Sequence, residues 1–429
     1  MEVREPSARY LRAVRRTELG EFPADWKIVP LGTFEPFITS GSRGWAAYYS
    51  DIGATFLRIT NLSRSRIYPS LEDLRYVAVP PDNSEGIRTA LKSGDVLISI
   101  TADIGIIGLV TDEVDLPAYI NQHIALVRFA DEEVESRYVA YFLAGAAAQR
   151  RFKSMTDAGA KAGMSLTGVR EVLAAIPPTK AEQGAIADAL ADADALIDSL
   201  EQLLTKKRQI KQGAIGELLT GKRRLPGFDG EWEMKRLGEM AGLMKGSGLS
   251  KDATTASGRR KCVLYGELFT TYGQVIHDVV GRTNSSDGLV SISGDVLVPG
   301  STTTDGIDLA TASALLESGV ALGGDINIIR PKADAFDSCF LANYLTHAKK
   351  REIAERAQGT TIVHLYGRDL SDLWLHQPSL VEQGAIAQVL SDMEAEIATI
   401  EARLTKARAI KQAMAQALLT GHIRLMEST

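Results

Sequence analysis

Polar and basic side chains gather in several loop segments of this 429-residue sequence, and their chemistry fits contact with nucleic acids. Arg, Asn, Gln and His side chains can read base edges in the major groove. Lys, Ser and Thr side chains and backbone N–H groups can hold phosphates. For any single residue, a solvated loop is the alternative interpretation. The candidates are Ser42, Arg43, Arg58, Asn61, Arg64, Arg66, Thr101, Asn121, Gln122, His123 and Lys161 in the first half of the chain, and Lys245, Ser247, Lys251, Tyr265, Glu267, Thr271, Tyr272, Ser301, Thr302, Thr303, Thr361 and His364 in the second half.

Sequence motifs of enzymes are mostly absent. The segment from Gly216 to Lys222 has the glycine spacing of a phosphate-binding loop, but Arg223 stands where a Ser or Thr would bind Mg²⁺. The six histidines show no metal-ligand spacing, and neither a nucleophile elbow nor an adenine-methyltransferase motif occurs. Scattered carboxylates, such as Asp82, fit a solvated surface. We therefore predict no catalytic residue, no metal site and no cofactor in this chain.

Composition and charge are those of an ordinary soluble globular protein, with 45% hydrophobic and 24% charged residues. The net charge of −6 argues against a nonspecific nucleic-acid coat, although the local charge distribution decides whether a protein binds DNA. Two cysteines, Cys262 and Cys339, do not make a disulfide framework. No apolar run approaches the ~20 residues that a membrane helix needs. We expect a cytoplasmic protein without membrane association.

An internal repeat is the strongest signal in the sequence. Residues 182–225 and 382–425 align without a gap at an offset of 200 and share 24 identities in 44 positions. Shorter matches pair residues 93–97 with 293–297, and Phe22, Trp26 and Leu31 with Phe228, Trp232 and Leu237. The chain is therefore predicted to alternate domain, helix, domain and helix.

Each long repeat segment is predicted to form one helix with a heptad seam. No proline interrupts either segment, and Gly221 and Gly421 come near their ends as helix stops. The seam residues are Ile186, Leu190, Ile197, Leu200 and Leu204 in the first copy, and Ile386, Leu390, Ile397, Ile400 and Leu404 in the second.

Charge is polarised along both predicted helices. Residues 182–201 hold six acids and no bases, whereas residues 206–224 hold seven bases and one acid, and the second copy repeats this pattern. Antiparallel pairing would set each acidic half beside a basic half, while a parallel homodimeric coiled coil would set like charges together. We therefore predict an intramolecular antiparallel coiled coil.

Short β-branched segments bounded by Gly, Asn or Asp predict strands between the helices, as in residues 95–100 and 295–298. The predicted fold class is α+β, with two β-rich globular domains separated by two long helices that form an antiparallel coiled coil, and with a pseudo-twofold internal repeat. The predicted divisions are a basic arm at 1–21, a globular domain at 22–180, a spacer helix at 181–224, a second globular domain at 225–380 and a second spacer helix at 381–425.

Over nearly its whole length the chain resembles the specificity subunits of type I restriction-modification systems. The residues that carry this resemblance are Pro177-Pro178 with Glu182-Gln183 and Ile186-Ala187, the Ile-Lys-Gln and Leu-Leu-Thr-Gly segments within 210–221 and 410–421, the domain starts at Trp26 and Trp232, and the elements Tyr265-Gly266-Glu267-Leu268 and His364-Leu365-Tyr366. Local departures are Gln377-Pro378 in place of a Pro-Pro pair, and His422-Ile423 where the first copy has Lys222-Arg223.

The resemblance implies a noncatalytic subunit of a multisubunit methyltransferase and endonuclease. Each globular domain would be a target recognition domain that reads one half of a bipartite, asymmetric sequence in double-stranded DNA. The helices would set the spacing and dock two modification subunits, which bind S-adenosylmethionine and methylate adenine. Restriction subunits, which use ATP and Mg²⁺, would join the same complex.

Two other classes of function stay open on the sequence alone. The helices and domains would also suit an interaction scaffold that binds proteins or a small ligand. An enzyme with an unrecognised site, such as a nuclease, would have to cleave DNA by itself. A DNA-reading subunit of a related methylation or restriction system outside type I has the same sequence features, because the difference lies in the partners.

Overall fold

A computed structural model describes residues 8–10, 13–130, 132–157 and 163–425 of the chain. The chain divides into two compact units. Unit 1 consists of Met1–Glu201 together with Ala402–Thr429, and unit 2 consists of Gln202–Glu401. Each unit therefore takes part of both long helices.

Unit 1 is a β-rich body with short helices. Its strands before the first long helix are β1 (Ala8–Tyr10), β2 (Val14–Thr17), β3 (Gly20–Pro23), β4 (Lys27–Pro30), β5 (Phe37–Ser40), β6 (Tyr49–Ser50), β7 (Ala54–Leu57), β8 (Arg75–Val77), β9 (Val96–Ser99), β10 (Ile107–Leu109), β11 (Ala118–Ile120), β12 (Ile124–Arg128) and β13 (Leu173–Ile176). The helices are α1 (Ser84–Thr89), α2 (Ser136–Ala144), α3 (Ala146–Asp157), α4 (Leu166–Arg170) and the long α5 (Lys180–Leu218), which continues into unit 2.

Unit 2 repeats this plan. Its strands are β14 (Glu233–Arg236), β15 (Ala241–Lys245), β16 (Arg260–Val263), β17 (Val275–Ile276), β18 (Arg282–Thr283), β19 (Leu289–Val290), β20 (Asp295–Pro299), β21 (Ser301–Thr302), β22 (Ser313–Leu315), β23 (Ala321–Leu322), β24 (Ile326–Pro331), β25 (Val363–His364) and β26 (Trp374–Gln377). The helices are α6 (Leu237–Met240), α7 (Glu267–Thr270), α8 (Ser338–Asn343), α9 (Lys350–Ala354), α10 (Gly367–Ser371) and the long α11 (Leu380–Leu419). The last strand, β27 (Ile423–Leu425), belongs to unit 1.

Each unit is built around a central sheet whose order is β10-β9-β12-β5 in unit 1 and β15-β24-β20-β22-β17 in unit 2. A second sheet lies beside it, with the order β11-β7-β8-β6 in unit 1 and β18-β16-β23-β19 in unit 2. In unit 1 the central strands β9, β12 and β5 run antiparallel, and β24, β20 and β15 do the same in unit 2. The α+β class that the sequence predicts is confirmed.

The central sheet is buried on both faces because its strands are apolar at successive positions, and successive side chains point to opposite faces. In unit 1, Val96 and Ile98 pack in one core with the apolar residues of α2. Leu97 and Leu126 pack in another core with residues of β7 and β11. Unit 2 repeats this division, so each central sheet is covered by a helix on one face and by the second sheet on the other.

The repeated Ser-Gly-Asp-Val-Leu segment forms the turn into the central strand of each sheet. Gly94 and Gly294 take φ values of +90° and +94°, which favour glycine. The buried Asp95 carboxylate accepts two hydrogen bonds of 2.7 Å from the Arg128 guanidinium. Asp295 accepts the same two bonds, also of 2.7 Å, from Arg330. The repeat therefore preserves a turn and a buried ion pair that tie β9 to β12 and β20 to β24.

The long helices pair antiparallel within each unit. In unit 1, Lys411 pairs with Asp194 and Arg408 with Glu201, so the numbers rise along one helix as they fall along the other. In unit 2 the corresponding pairs are Lys207 with Glu396, Arg208 with Glu401 and Lys211 with Glu394. All ten seam residues that the sequence singles out are buried. Within each unit this is the pairing that the charge pattern predicts.

The start of each long helix is fixed by its Glu-Gln pair. Gln183 accepts a 2.9 Å bond from the Glu135 N–H at the start of α2, and Gln383 accepts a 2.8 Å bond from the Asp337 N–H at the start of α8. The buried Glu182 forms a two-bond ion pair with Arg424, whose guanidinium also lies 5.8 Å from the Trp26 ring centroid.

Unit 2 has the same arrangement at the start of α11. The buried Glu382 forms two bonds with Arg224, at 2.5 and 2.7 Å, and accepts a 3.1 Å bond from the Trp232 indole. The Glu, Arg and Trp residues that the repeat preserves thus meet in one cluster in each unit.

The helices end sooner than the repeat segments do. The sequence predicts helix over 182–225, but α5 stops at Leu218 and α11 at Leu419. The reason is that Gly221 and Gly421, at φ values of +70° and +69°, take the left-handed conformation that ends a helix. Beyond Gly421 the chain forms β27, which pairs with β1. Strand β1 therefore lies beside the segment that follows the second helix.

Among the residues that the structure describes, there is no helix whose length and apolar character would let it cross a membrane.

Loss of the Arg424 guanidinium should destabilise unit 1 strongly. The Arg424→Met variant would leave the Glu182 carboxylate buried without its cation, and breaking such a pair costs about 3 kcal/mol. Arg223→Met is the matched control, because that side chain is 76% exposed and its ion pair with Glu217 is a surface pair of small effect. Urea unfolding of both variants measures the difference, and equal midpoints would contradict the assignment.

Acid should weaken unit 2 through His347, which lies in a π-helical turn at Tyr344–Ala348. Burial, with Lys211 and Lys350 nearby, lowers the pKa of His347 from 6.5 to about 4. Between these values the unfolded chain binds a proton that the folded chain does not, so stability falls as the pH falls from 6.5 to 4. His347→Gln should lose less stability over this range than the native protein, as urea unfolding at pH 6.5 and at pH 4 would show.

Candidate nucleic-acid interface

Three loop segments of unit 1 meet at one end of its central sheet. Residues 41–43 follow β5, residues 100–103 follow β9, and residues 121–123 precede β12. They converge because the antiparallel register sets Ser40 beside Ala125 and Ser99 beside Ile124. Several of the polar residues that the sequence singles out therefore lie on one edge: Ser42, Arg43, Thr101, Asn121, Gln122 and His123.

Unit 2 forms the same edge from other residues. Residues 246–248 follow β15, residues 300–304 follow β20, and residues 323–325 precede β24. A fourth segment joins them, because β25 pairs with β21 and sets His364 beside Ser301. The candidates Lys245, Ser247, Ser301, Thr302, Thr303, Thr361 and His364 lie on or beside this edge.

A glycine lets the first of these segments pass close to the third in each unit. A Cβ atom on Gly41 would fall far inside van der Waals contact with the carbonyl oxygens of Ile120 and Asn121. A Cβ atom on Gly246 would do the same with the Gly323 carbonyl oxygen. The two glycines are thus required by the same close approach of backbone to backbone.

The imidazole of His123 is held at both ring nitrogens in unit 1. Its Nδ1 bonds to the Thr101 hydroxyl, and its Nε2 lies 2.9 Å from the Gln122 side-chain nitrogen. Asn121 is buried and accepts a 3.2 Å bond from the His123 N–H. Arg43 is exposed on the neighbouring segment. This arrangement presents half-exposed donors and acceptors of the kinds that read base edges.

Asp325 occupies the centre of the edge in unit 2. Its Oδ2 accepts a 3.1 Å bond from the Ser301 hydroxyl, and its Oδ1 lies 3.0 Å from the Lys245 ammonium. Its φ of +58° places it in the left-handed region, where Asp is one of the few non-glycine residues found regularly. A carboxylate there is held in place by a hydroxyl and an ammonium and can accept further hydrogen bonds.

Two adjoining cavities open at this edge of unit 2 and share Tyr265, Gly266 and Asp325 as walls. One has a volume of about 1160 Å³ and the other about 700 Å³. Their lining brings together most of the candidates in the second half of the chain: Lys245, Ser247, Lys251, Tyr265 and Glu267 in the larger cavity, and Tyr265, Ser301, Thr302, Thr303 and His364 in the smaller.

Four other candidates of the first half, Arg58, Asn61, Arg64 and Arg66, take part in contacts within unit 1. Asn61 is buried, accepts a 3.0 Å bond from the Arg58 N–H and donates to the Ser70 carbonyl. The Arg58 guanidinium donates a 2.9 Å bond to the Asp73 carbonyl. The Asn61–Arg58 bond is local, whereas the bonds to Ser70 and Asp73 join residues that are 9 and 15 positions apart.

Arg64 and Arg66 also form ion pairs within unit 1. Arg64 pairs with Asp103, which belongs to the same turn as Thr101, so its guanidinium lies beside the edge. Arg66 lies 3.8 Å from Asp198 and 3.9 Å from Glu201, both on α5. Lys161 lies outside the residues that the structure describes.

Three candidates of the second half have structural partners. Glu267 accepts a 2.8 Å bond from the Leu264 N–H, and the Tyr272 hydroxyl accepts a 3.1 Å bond from the Val280 N–H. Burial raises the pKa of Tyr272, so its hydroxyl stays neutral. Thr271 is exposed beside Thr270.

Sequence reasoning did not single out Asp325, Phe269 or Ile362, which line the cavities. Asp325 is itself the first residue of a β-branched segment, so its equivalence to His123, which precedes one, appears only once the strands of the two units are aligned through their register. In the described part of the chain, no three His, Cys, Asp or Glu side chains are grouped as ligands for a metal ion.

The comparisons with known proteins agree on one family. A family model described as "Type I restriction modification DNA specificity domain" matches residues 88–212 and 229–408, which is more than half of the chain. A curated relative from Methanocaldococcus jannaschii, named "Putative type I restriction enzyme MjaX specificity subunit", is 23% identical over 425 residues. The alignment covers 96% of this chain and 96% of the relative.

Two solved structures have a similar fold. The S subunit of a type I restriction-modification system from M. genitalium aligns with a TM-score of 0.57 at 13% identity, over 94% of this chain and 97% of that one. A chain from a structure concerned with complex assembly and conformational transition of a type I system aligns with a TM-score of 0.50 at 16% identity, over 94% and 99%.

The close approach of Gly246 to Gly323 can be tested by substitution. Gly246→Ala should displace residues 246–248 from residues 322–323 and lower stability by about 2 kcal/mol, as overpacking does. Gly266→Ala is the matched control. Gly266 lines the same cavity, and a Cβ atom added there would have no atom of the described residues within 4 Å. Thermal unfolding of the two variants checks this, and equal losses would argue against the close approach.

Proposed function

Because the chain belongs to the family of type I restriction-modification DNA specificity proteins, we propose that each of its two units reads one half of a bipartite, asymmetric target in double-stranded DNA. The chain itself is the noncatalytic subunit of the complex. The polar edge of each central sheet is the surface that contacts the DNA.

The observation that carries this proposal is the construction of the two edges. The two edges are formed by three equivalent segments, and each has a glycine at the equivalent close approach of backbone to backbone. Each central sheet also holds an equivalent buried Asp–Arg pair. Ser42 and Ser247 match, and Thr101 and Ser301 both carry a hydroxyl, but unit 2 has Gly248, Gly324 and Asp325 where unit 1 has Arg43, Gln122 and His123. A common frame with different polar side chains fits two domains that do the same task on two different sequences.

The long helices serve as the spacer and as the docking site for two modification subunits. These subunits bring S-adenosylmethionine and transfer its methyl group to adenine. Restriction subunits, with their ATP and Mg²⁺, join the same assembly. Support comes from the family and from the similar chain whose structure concerns complex assembly in a type I system.

The acidic balance of the chain fits a subunit that binds DNA together with partners. Phosphate contacts supply much of the affinity of proteins for DNA. A subunit with 54 acidic and 48 basic residues can leave part of these contacts to the modification subunits. The isolated chain is then a weak DNA binder, and the assembled complex a tight one.

Methylated adenines should define a bipartite motif with a fixed gap in cells that make this chain and the modification subunit of its system. Long-read sequencing maps the methylated positions, and cells that lack the chain are the control. Replacement of residues 22–180 by the corresponding domain of another family member should change one half of the motif only.

If methylation does not depend on the chain, or if both halves change together, the proposed division of labour between the units is wrong. An interaction scaffold would give no motif at all. A nuclease would cleave DNA without its partners in the presence of a metal ion.

A further inference from the structure

We propose that His123 in unit 1 and Asp325 in unit 2 occupy one equivalent position, and that each determines the choice of a base pair in its own half of the DNA target. This inference rests on the proposed function, since it names the residues that carry specificity on the two polar edges.

The strand register makes the two positions equivalent. Ile124 lies beside Ser99 in unit 1, and Ile326 lies beside Pro299 in unit 2. His123 and Asp325 each come directly before these strand residues. The His123 carbonyl accepts a 2.9 Å bond from the Ile100 N–H, and the Asp325 carbonyl accepts a 2.6 Å bond from the Gly300 N–H.

A hydroxyl group holds the side chain at this position in both units. The Thr101 hydroxyl bonds to the His123 ring, and the Ser301 hydroxyl bonds to the Asp325 carboxylate. The register makes Thr101 the counterpart of Ser301. The position therefore keeps its hydroxyl partner while its own side chain changes from imidazole to carboxylate.

The Asp325 carboxylate has unused capacity to accept hydrogen bonds. An ionised carboxylate offers about four acceptor positions. Ser301 takes one on Oδ2 and Lys245 one on Oδ1, and the side chain is 40% exposed. Because Asp325 lines both cavities, its carboxylate is accessible from the space that the DNA would occupy.

A carboxylate on a DNA-binding edge repels phosphates, so it does not add to affinity for the backbone. Its chemistry instead selects a base edge that offers a donor, such as the exocyclic amino group of cytosine or adenine. Lys245, 3.0 Å away, reduces the repulsion. Asp325 is thus suited to choose among base pairs and poorly suited to hold the duplex.

His123 offers different chemistry at the equivalent position. Its ring bonds to Thr101 at one nitrogen and lies beside the Gln122 amide at the other, and a glutamine amide carries both donors and an acceptor. The two halves of the target should therefore differ at the base pair that this position reads.

The backbone conformation at Asp325 allows substitutions that change the side chain without straining the backbone. Asp325 has a φ of +58°, a region that Asn and Gly also adopt. Asp325→Asn removes the charge at nearly constant shape, and Asp325→Gly removes the side chain. Asp334→Asn is the matched control, since Asp334 has a φ of +63°, is exposed and belongs to the same unit.

The test uses the full chain with the modification subunit of its system and a plasmid library that varies each base pair of the mapped motif in turn. Asp325→Asn and Asp325→Gly should relax discrimination about tenfold, or about 1.4 kcal/mol, at one base pair of one half. The other half, and the Asp334→Asn control, should keep the native motif. His123→Asn should change one base pair of the opposite half.

Unchanged motifs in the Asp325 variants would overturn the inference. So would a uniform loss of methylation with the motif retained, because a purely structural residue acts in that way. Changes by His123→Asn and Asp325→Asn in the same half would overturn the equivalence of the two positions. If the native chain gives no bipartite motif, the proposed function itself fails, which is a separate result.

Discussion

The architecture of each unit depends on one buried ion pair at the start of a long helix. Glu182 is buried against Arg424, and Glu382 against Arg224, with a tryptophan ring beside each guanidinium. A buried carboxylate is costly unless a cation and hydrogen bonds compensate it, so the helix start and the segment that carries the arginine have to meet. From there the next residue, Gln183 or Gln383, fixes the start of the helix that covers the central sheet. The sheet in turn carries the polar edge.

The frame and the edge follow different physical rules. The residues of the frame are buried or lie in close backbone contacts, such as Asp95 with Arg128 and Gly41 beside Ile120. A change at such a position leaves an unpaired charge or a steric clash. The edge is less restrictive, since two half-exposed side chains, His123 in one unit and Asp325 in the other, occupy the equivalent position. This contrast explains why the repeat is clear in the helices and turns and faint in the loops between them.

Much of the frame could be predicted from the sequence, because its signals are local or repeated. Heptad spacing and polarised charge predict the antiparallel helices, and β-branched runs predict β9, β12, β20 and β24. The edge is harder, because its members come from segments far apart in the sequence. The polar cluster at residues 58–66 shows the difficulty. Arg58, Arg64 and Arg66 pair with Asp73, Asp103 and Asp198, which are distant in sequence. No local sequence pattern predicts these partners. Asp325 was missed because a single acidic residue before a strand gives no signal until the two units are aligned through their strand register.

The division of the chain into units has a consequence for its synthesis on the ribosome. Unit 2 is one uninterrupted stretch, so all of its residues have been translated before the last segment of unit 1 is made. Unit 1 needs Arg424, which is translated 242 residues after its partner Glu182. At a synthesis rate of about 5 to 20 residues per second, about 12 to 50 seconds pass between the translation of Glu182 and that of Arg424. The half of the protein whose synthesis begins first is therefore completed last.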